Sequence, residues 1–501
     1  MKKSSSVIER KKSSDGSRRS NIDRHVDLRD LLERFKKIDE LEIIEGADWN
    51  LELAALSEMV CARNPGRSPA LLFKNIKDYP ENFRILSGAA NSFKRLALVL
   101  GFPEPKTELD LVRSYRDRMK TEFKLIPPEE VKTGPIMENI DRDGDVDLFK
   151  FPVPFIHEHD GGRYIGTDDV VIMRDPETSW VNAATYRVMV QNKNTTGIWM
   201  SPGKHGRMIR EKYFEKNKPC PVLISCGQDP LLFLAGHSEV DHNVSEFDYA
   251  GGHRGFPFET IPSEVHKLPI PAHAEIVLEG EIFGDENDLK TEGPFGEFMG
   301  YYASNASPQP IVKVSRVYYR NDPILTMAVP SRPPSNFTFA RSAVKSAMIW
   351  DEIEKAGLPG VNGIWCHEAG AGRLFNVLSI KQMYPGHVKQ AGMLAANCHS
   401  GNYAGRWVVV VDEDIDPSNI FDVIWALSTR CDPPSDTEFI HNSWSTPLDT
   451  MLREPPYQNN RGIIDACRPW GWKESFPTVA ESSPELKAQV MEKWHYLFDK
   501  A

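Results

Sequence analysis

A chain of 501 residues, with 40% hydrophobic and 26% charged residues, has material for more than one hydrophobic core, so two or three domains are expected. The formal net charge of -11 argues against a surface built to neutralise nucleic-acid phosphates, and no apolar run is long enough to span a bilayer. Seven scattered cysteines without a C-x-x-C pair fit neither a disulfide framework nor a structural zinc site, and point to a reducing, cytoplasmic compartment.

Residues 1–24 are rich in Ser, Lys and Arg and read as a disordered basic tail. No apolar stretch follows to make it a secretory signal, and Glu9, Asp15 and Asp23 interrupt any presequence-like basic run. From Leu28 the periodicity is helical, with Leu31, Leu32, Phe35 and Ile38 on one face; Leu53, Leu56, Met59 and Val60 mark a second helix. A short strand is expected at Ala70–Phe73. Between Phe151 and Tyr319 the pattern is mostly extended, with strands at Val170–Met173, Val222–Ser225, Glu275–Glu281 and Ile311–Tyr319. Asp160-Gly161-Gly162 reads as a hairpin turn, because glycine accepts the positive φ that such turns favour. The proline-rich stretch from Pro330 to Asn336 marks a boundary. Beyond it a helix at Ala340–Ala356, a strand at Trp407–Val411 and a helix at Ile420–Ser428 alternate as in an α/β unit. The closing helix, Pro484–Phe498, has Ser483 as its cap and a stripe of Leu486, Val490, Trp494 and Leu497 that needs either the chain's own core or a second subunit to cover it.

Glu292-Gly293-Pro294-Phe295-Gly296-Glu297 places two carboxylates either side of a tight turn. Held close, both cannot ionise freely, so one rises in pKa and can donate a proton at neutral pH. Two solvated turn glutamates fit the same letters, and a cation in the same pocket decides between the readings. Arg187, in Asn182-Ala183-Ala184-Thr185-Tyr186-Arg187, is a candidate for that cation, although composition alone favours an ordinary surface arginine. Asn182, His205 and Glu246 offer an amide oxygen, an imidazole nitrogen and a carboxylate, a mixed set suited to Mg2+ or Mn2+ on a phosphate, at spacings too wide to prove it. The G-x-G in Ala369–Arg373 lacks a third glycine and reads as a loop, and His157 with His159 as a hydrogen-bonded strand end.

These blocks, with Pro69–Phe73, Asp160–Ile165, Ala274–Gly280, Asp412–Asp416 and Val423–Ala426, occur in the order found in the UbiD family of decarboxylases, which the chain resembles from Leu28 onward. The branch it resembles is that of the ferulic acid and heteroaromatic acid decarboxylases. The resemblance implies an α+β fold: a split β-barrel flavin-binding domain (25–330), an α/β oligomerisation domain (331–455) and a C-terminal segment with a docking helix (456–501). It also implies prenylated FMN, Mn2+ or Mg2+, and K+ as cofactors, and a flavin prenyltransferase as cofactor supplier. A small carboxylic acid is the implied substrate, and a homodimer or larger homo-oligomer the implied assembly, with no nucleic acid or membrane partner.

Carried over by position, Asn182, His205 and Glu246 match the metal ligands. Asn182, Ala183, Ala184, Thr185, Tyr186 and Arg187 match the segment that wraps the flavin, and Arg187, Glu292 and Glu297 match the family's Glu-Arg-Glu network. Loss of CO2 from an sp² carbon needs an electron sink, which the flavin is implied to provide. Glu297 is then expected to supply the proton, Arg187 to orient the carboxylate and Glu292 to hold Arg187. Two positions depart from the ferulic acid enzymes: Lys204 stands where they carry Gln, placing an ammonium near the substrate pocket, and Arg406 stands for a cofactor-contacting Lys. Two other readings compete, a flavin-independent lyase or hydrolase built on His205, Glu246 and water, and a non-catalytic subunit of a decarboxylase complex. The acid itself is left open among cinnamic-type acids, hydroxybenzoates, pyrrole, furan or indole carboxylates, and aromatic acyl thioesters carrying a second carboxylate.

Overall fold

The computed structural model describes residues 25–121 and 123–497, so the basic tail expected at residues 1–24 lies outside the described residues. At the start of helix Leu28–Lys37 the Asp27 carboxylate accepts a hydrogen bond from the Asp30 N–H, which satisfies one free donor of the first turn. Its Leu28, Leu31, Leu32 and Phe35 are buried at helical spacing, each contributing about 1.5–3 kcal/mol through removal from water. Ile38, expected on that face, is the helix C-cap and is exposed. Nearby lies a four-stranded sheet in the order Leu41–Glu45, Ala70–Lys74, Arg84–Ser87, Ile324–Met327. The last strand returns from far along the chain, so the N-terminal layer is tied to the unit that follows.

That unit is built on one nine-stranded sheet. Its main path runs Tyr164–Gly166, Val188–Asn192, Thr195–Ile198, Ile311–Tyr319, Ile276–Phe283, Cys220–Cys226, Asp169–Arg174, Val181–Ala184, with Asn139–Arg142 added on Ile311–Tyr319. Every pairing in it is antiparallel. Where a split β-barrel is expected, the structure has a single extended antiparallel sheet, and among the described residues no backbone pairing joins its two end strands.

The turn expected at Asp160-Gly161-Gly162 is a bend and not a hairpin. Neither glycine has positive φ, and the strand that follows pairs with Val188–Asn192 and not with a strand before the bend. What requires glycine is close approach: a Cβ on Gly161 would lie 2.0 Å from the Gly293 carbonyl oxygen. The Gly161 N–H donates to the Pro294 carbonyl at 2.7 Å, and the Asp160 carboxylate accepts from the Gly296 N–H at 3.1 Å. The bend thus buttresses the turn that carries Glu292 and Glu297.

After Pro330–Asn336 the helix Thr338–Lys355 buries Phe339, Ala343, Ala347, Trp350 and Ile353, and belongs to a core that runs from the N-terminal helix into the second unit. The second unit's sheet has the order Val361–Cys366, Phe375–Ile380, Trp407–Asp412, Gln458–Ala466, Thr437–Trp444. Four consecutive valines of Trp407–Asp412 are buried between two parallel neighbours, which explains their unbroken apolar run. Because Gln458–Ala466 is inserted between Trp407–Asp412 and Thr437–Trp444, the boundary expected at 455 cuts this sheet, which continues to Ala466.

The closing helix is Pro484–Lys493, with the Ser483 hydroxyl accepting from the Leu486 N–H; residues 494–497 leave the α-helix, and Phe498, the expected end, lies outside the described residues. Leu486, Val490 and Trp494 remain 48%, 42% and 41% exposed, so the chain's own core does not cover the stripe.

Candidate active site

A cavity of about 380 Å³ opens between the large sheet and the second unit. One wall carries Asn182, Tyr186, Arg187, Phe295 and Glu297; the other carries Arg341, Arg373, Tyr403 and Trp444.

Arg187 sits where the chain enters strand Val188–Asn192, with its guanidinium under Trp199 and Phe295, 4.6 and 5.3 Å from the ring centres. Its Nε and Nη2 donate to the two carboxylate oxygens of Glu292, both at 2.9 Å, and its Nη1 donates to Glu297. The Tyr164 hydroxyl also donates to Glu292, at 2.9 Å. Glu292 is fully buried behind Arg187 and does not line the cavity; Glu297 does. The three residues that sequence placed far apart are therefore one buried network, with the fork of Arg187 fixed from behind. Burial disfavours the charge on Arg187, but Glu297 and then Glu292 outweigh it and raise its pKa. Burial, assisted by the charge of Glu292 and opposed by Arg187, pushes the Glu297 carboxyl up to about 7. A carboxyl poised near neutrality, facing a cavity, is suited to hold and release a proton.

Asn182, His205 and Glu246 line the same cavity. Asn182 lies on the edge strand Val181–Ala184, while His205 and Glu246 are the first residues of helices His205–Phe214 and Glu246–Arg254, whose leading N–H groups favour an anion. The Asn182 amide N–H and the Ala183 backbone N–H donate to Glu246 at 2.8 and 2.7 Å. Burial pushes the Glu246 carboxyl up to about 8, as expected for a carboxylate far from a cation, and the buried Asn182 Oδ1 has no hydrogen-bond partner. Burial, then His242 and Lys204, lower the pKa of His205, which keeps its imidazole neutral and able to ligate. An orphaned amide oxygen, a neutral imidazole and a buried carboxylate fit a divalent cation. Among the described residues no three His, Cys, Asp or Glu side chains form such a group, and in this set the third donor is the Asn182 amide oxygen.

Ala184, Thr185 and Tyr186 line the cavity, and the Tyr186 hydroxyl accepts from the Gly206 N–H at 3.0 Å. Ala183 contributes through its backbone alone. Lys204 lines the cavity with its ammonium 4.4 Å from the Tyr403 ring centre. Arg406 is not among the lining residues: its Nη2 is held by both oxygens of Asp449 at 2.6 Å.

Three consecutive family models cover most of the chain. They describe the N-terminal domain (residues 32–114), the Rift-related domain (129–333) and the C-terminal domain (338–466) of 3-octaprenyl-4-hydroxybenzoate carboxy-lyase, UbiD. The pyrrole-2-carboxylic acid decarboxylase of Pseudomonas aeruginosa is 35% identical over 426 residues, which cover 82% of this chain and 84% of that protein. The chain belongs to the UbiD family of carboxy-lyases. Among solved structures, the vanillic acid decarboxylase of Sedimentibacter hydroxybenzoicus in open form is 29% identical, with a TM-score of 0.81 over 94% of this chain and 99% of that one. An evolved dimeric form of the UbiD-class enzyme HmfF from Pelotomaculum thermopropionicum, in complex with prFMN, is 26% identical, with a TM-score of 0.77 over 92% and 98%.

The UbiD motifs carry the first wall of the cavity. The second wall escaped sequence reasoning. Arg341, in the first turn of Thr338–Lys355, stacks near Phe337 and Phe298, and its Nε and Nη1 are buried without a hydrogen-bond partner. Arg373, in the loop set aside as a failed glycine motif, donates to Glu239 at 2.5 Å, and Lys345 lies 3.6 Å from the same carboxylate. Burial, then Arg373, pushes the Arg341 guanidinium down to about 9, still charged at neutral pH. Burial, Arg341 and Arg373 push the nearby His237 imidazole down to about 3. A helical arginine gives no signal of burial in a sequence, because its exposure depends on what packs opposite.

Proposed function

We propose that the chain decarboxylates an unsaturated, aromatic or heteroaromatic carboxylic acid without net oxidation, using prenylated FMN with Mn2+ or Mg2+, and K+. The observation that carries this reading is Arg187, buried between Glu292 and Glu297 at the wall of the cavity. The relative named for pyrrole-2-carboxylic acid and the prFMN-bound UbiD-class neighbour support the substrate class and the flavin. On this reading the nine-stranded sheet would be the split β-barrel that receives the flavin, and Asn182, His205 and Glu246 would hold the divalent metal that neutralises the cofactor's phosphate.

When bound, the prenylated flavin supplies the electron sink that CO2 loss from an sp² carbon requires. Arg187 orients the scissile carboxylate, with its fork kept in place by Glu292 and Tyr164. Glu297 then delivers its proton to the carbon that has lost CO2. The free cysteines support a reducing cytoplasm, and a flavin prenyltransferase would supply the cofactor. The test is co-expression with such a prenyltransferase, followed by assay of the purified chain for CO2 release from a panel of acids. Activity independent of flavin would favour the metal-dependent lyase or hydrolase; no activity in a flavin-loaded chain would favour a non-catalytic subunit.

Three results are expected. His205→Ala and Glu246→Ala fold but purify with little flavin, because its phosphate loses the bridging cation; a wild-type flavin-to-protein absorbance ratio in both would reject the metal assignment. Because Glu297 must be protonated to act and titrates at about 7, kcat/KM falls as pH rises through that value, approaching tenfold per unit above it. A pH-rate profile that stays flat to about two units above neutrality would contradict the role. Finally, we read the exposed Leu486, Val490 and Trp494 as a subunit contact, supported by the dimeric form of the HmfF neighbour. Light scattering is expected to report at least a dimer at micromolar concentration and a smaller species for Val490→Glu with Trp494→Glu; a wild-type monomer would refute it.

A further inference from the structure

The cavity's second wall carries more positive charge than its own carboxylates neutralise. Arg341, Arg373 and Lys345 are grouped around one acid, Glu239, which is already engaged by Arg373 and Lys345. The other acid in electrostatic reach of Arg341 is Glu297, which Arg187 holds. The Nε and Nη1 of Arg341 are left buried without a partner while the residue faces the cavity. A partly buried guanidinium whose Nε and Nη1 are shut off from water and unpartnered is stabilised when an anion meets it, and its planar fork matches a carboxylate. Phe298 and Phe337, 5.1 and 4.7 Å from the guanidinium carbon, flank it and limit where the group can swing.

We propose that Arg341 binds a second anionic group of the substrate, so that the preferred acid is a dianion: an unsaturated or aromatic carboxylic acid with a further carboxylate, or an equivalent anion, away from the carboxylate that leaves. The inference rests on the decarboxylase reading and specifies its substrate class. The two anions are received by different walls, the scissile one by Arg187 and the retained one by Arg341. Glu239 engages Arg373 and lies 3.6 Å from Lys345, which does not line the cavity, and the Lys204 ammonium sits over the Tyr403 ring, so of the two guanidinium groups on this wall Arg341 is the one whose fork has donors without a partner. The flavin phosphate is assigned to the end of the cavity that holds Asn182, His205 and Glu246, whereas Arg341 lies in reach of Glu297.

The test uses matched pairs of ring acids, each with and without a second carboxylate, and a third member with a sulfonate in its place. Decarboxylation is measured on enzyme loaded with prenylated FMN, and binding by calorimetry on enzyme loaded with FMN. Wild type is expected to favour the dianions, both carboxylate and sulfonate, by on the order of 10–100-fold in kcat/KM and in Kd. In Arg341→Leu the ratio of dianion to monoanion collapses towards one, and Arg341→Lys retains part of it because charge remains while the fork is lost. Equal handling of mono- and dianions by wild type overturns the inference without any variant. A preference unchanged in Arg341→Leu overturns it as well. Loss of FMN from Arg341→Leu, with the dianion preference intact in the loaded fraction, overturns it by giving the guanidinium to the cofactor. Arg341-dependent binding of dianions without CO2 release from any acid upholds the inference and rejects the decarboxylase reading instead.

Discussion

Replacing Glu297 by Gln is expected to lower turnover by about 10²–10⁴-fold while leaving prenylated-flavin binding unchanged. The amide keeps the size of the side chain, and its oxygen can still accept from Arg187, so the network survives but the proton is gone. The same variant is expected to lose exchange of the product's vinyl or aryl hydrogen with deuterated water, a reaction that runs the protonation step backwards. Those two losses together separate proton delivery from a role in holding Arg187, because a disturbed Arg187 would also raise KM. Exchange at the wild-type rate in Glu297→Gln would transfer the proton to another group. Glu292 is the nearest in sequence, but it is fully buried, held at both oxygens by Arg187 and by the Tyr164 hydroxyl, and does not line the cavity.

Replacing Arg187 by Met is expected to affect the fold as well as the chemistry. It strands two buried carboxylates without a cation, a loss of about 3–5 kcal/mol when one partner of a buried charge network is removed. With Arg187 no longer opposing it, burial holds the folded-state pKa of Glu297 above its unfolded value, so the folded state binds more protons than the unfolded chain. Stability is therefore recovered as pH falls towards the ordinary carboxyl range and lost as pH rises above neutrality. Thermal unfolding of Arg187→Met across that range checks the sign. A melting temperature equal to wild type above neutral pH would show that the network contributes nothing to the fold. Arg187→Lys keeps the charge without the fork, and is expected to fold close to wild type with weakened substrate binding.

The helices and strands were legible where periodicity and capping agree, as at Asp27 with Leu28–Lys37 and at Ser483 with Pro484–Lys493. The Glu292–Glu297 turn was legible locally only as a pair of carboxylates; the family resemblance joined Arg187 to it, since nothing local says that a residue more than a hundred positions earlier lies between them. The bend at Gly161 was misread for a physical reason. Glycine serves positive φ and close approach equally well, and only Gly293 distinguishes them here. Arg406 kept the positive charge expected of its position, yet Asp449 takes up its guanidinium, a pairing no spacing rule could supply. The boundary at 455 failed because sheets need not follow chain order: Gln458–Ala466 enters between two strands that precede it. Arg341 and Arg373 were invisible because their place at the cavity exists only where two units face each other.

The contact of Gly161 with the Gly293 carbonyl bears on how this scaffold can diverge. A methyl group at 161 would collide with the backbone of the turn between Glu292 and Glu297, so the two loops inherit each other's position and vary together or not at all. The opposite wall meets the Glu292–Glu297 turn through side chains, Arg341 over the Phe298 ring and Tyr403 packed with Phe298 and Met299. A library aimed at new acids therefore has its freedom there: residues 341, 373 and 403 can be randomised while 161 and 293 stay glycine. Selection for a different ring or charge would then rewrite one face of the cavity while the backbone that carries Glu297 on the other keeps its place.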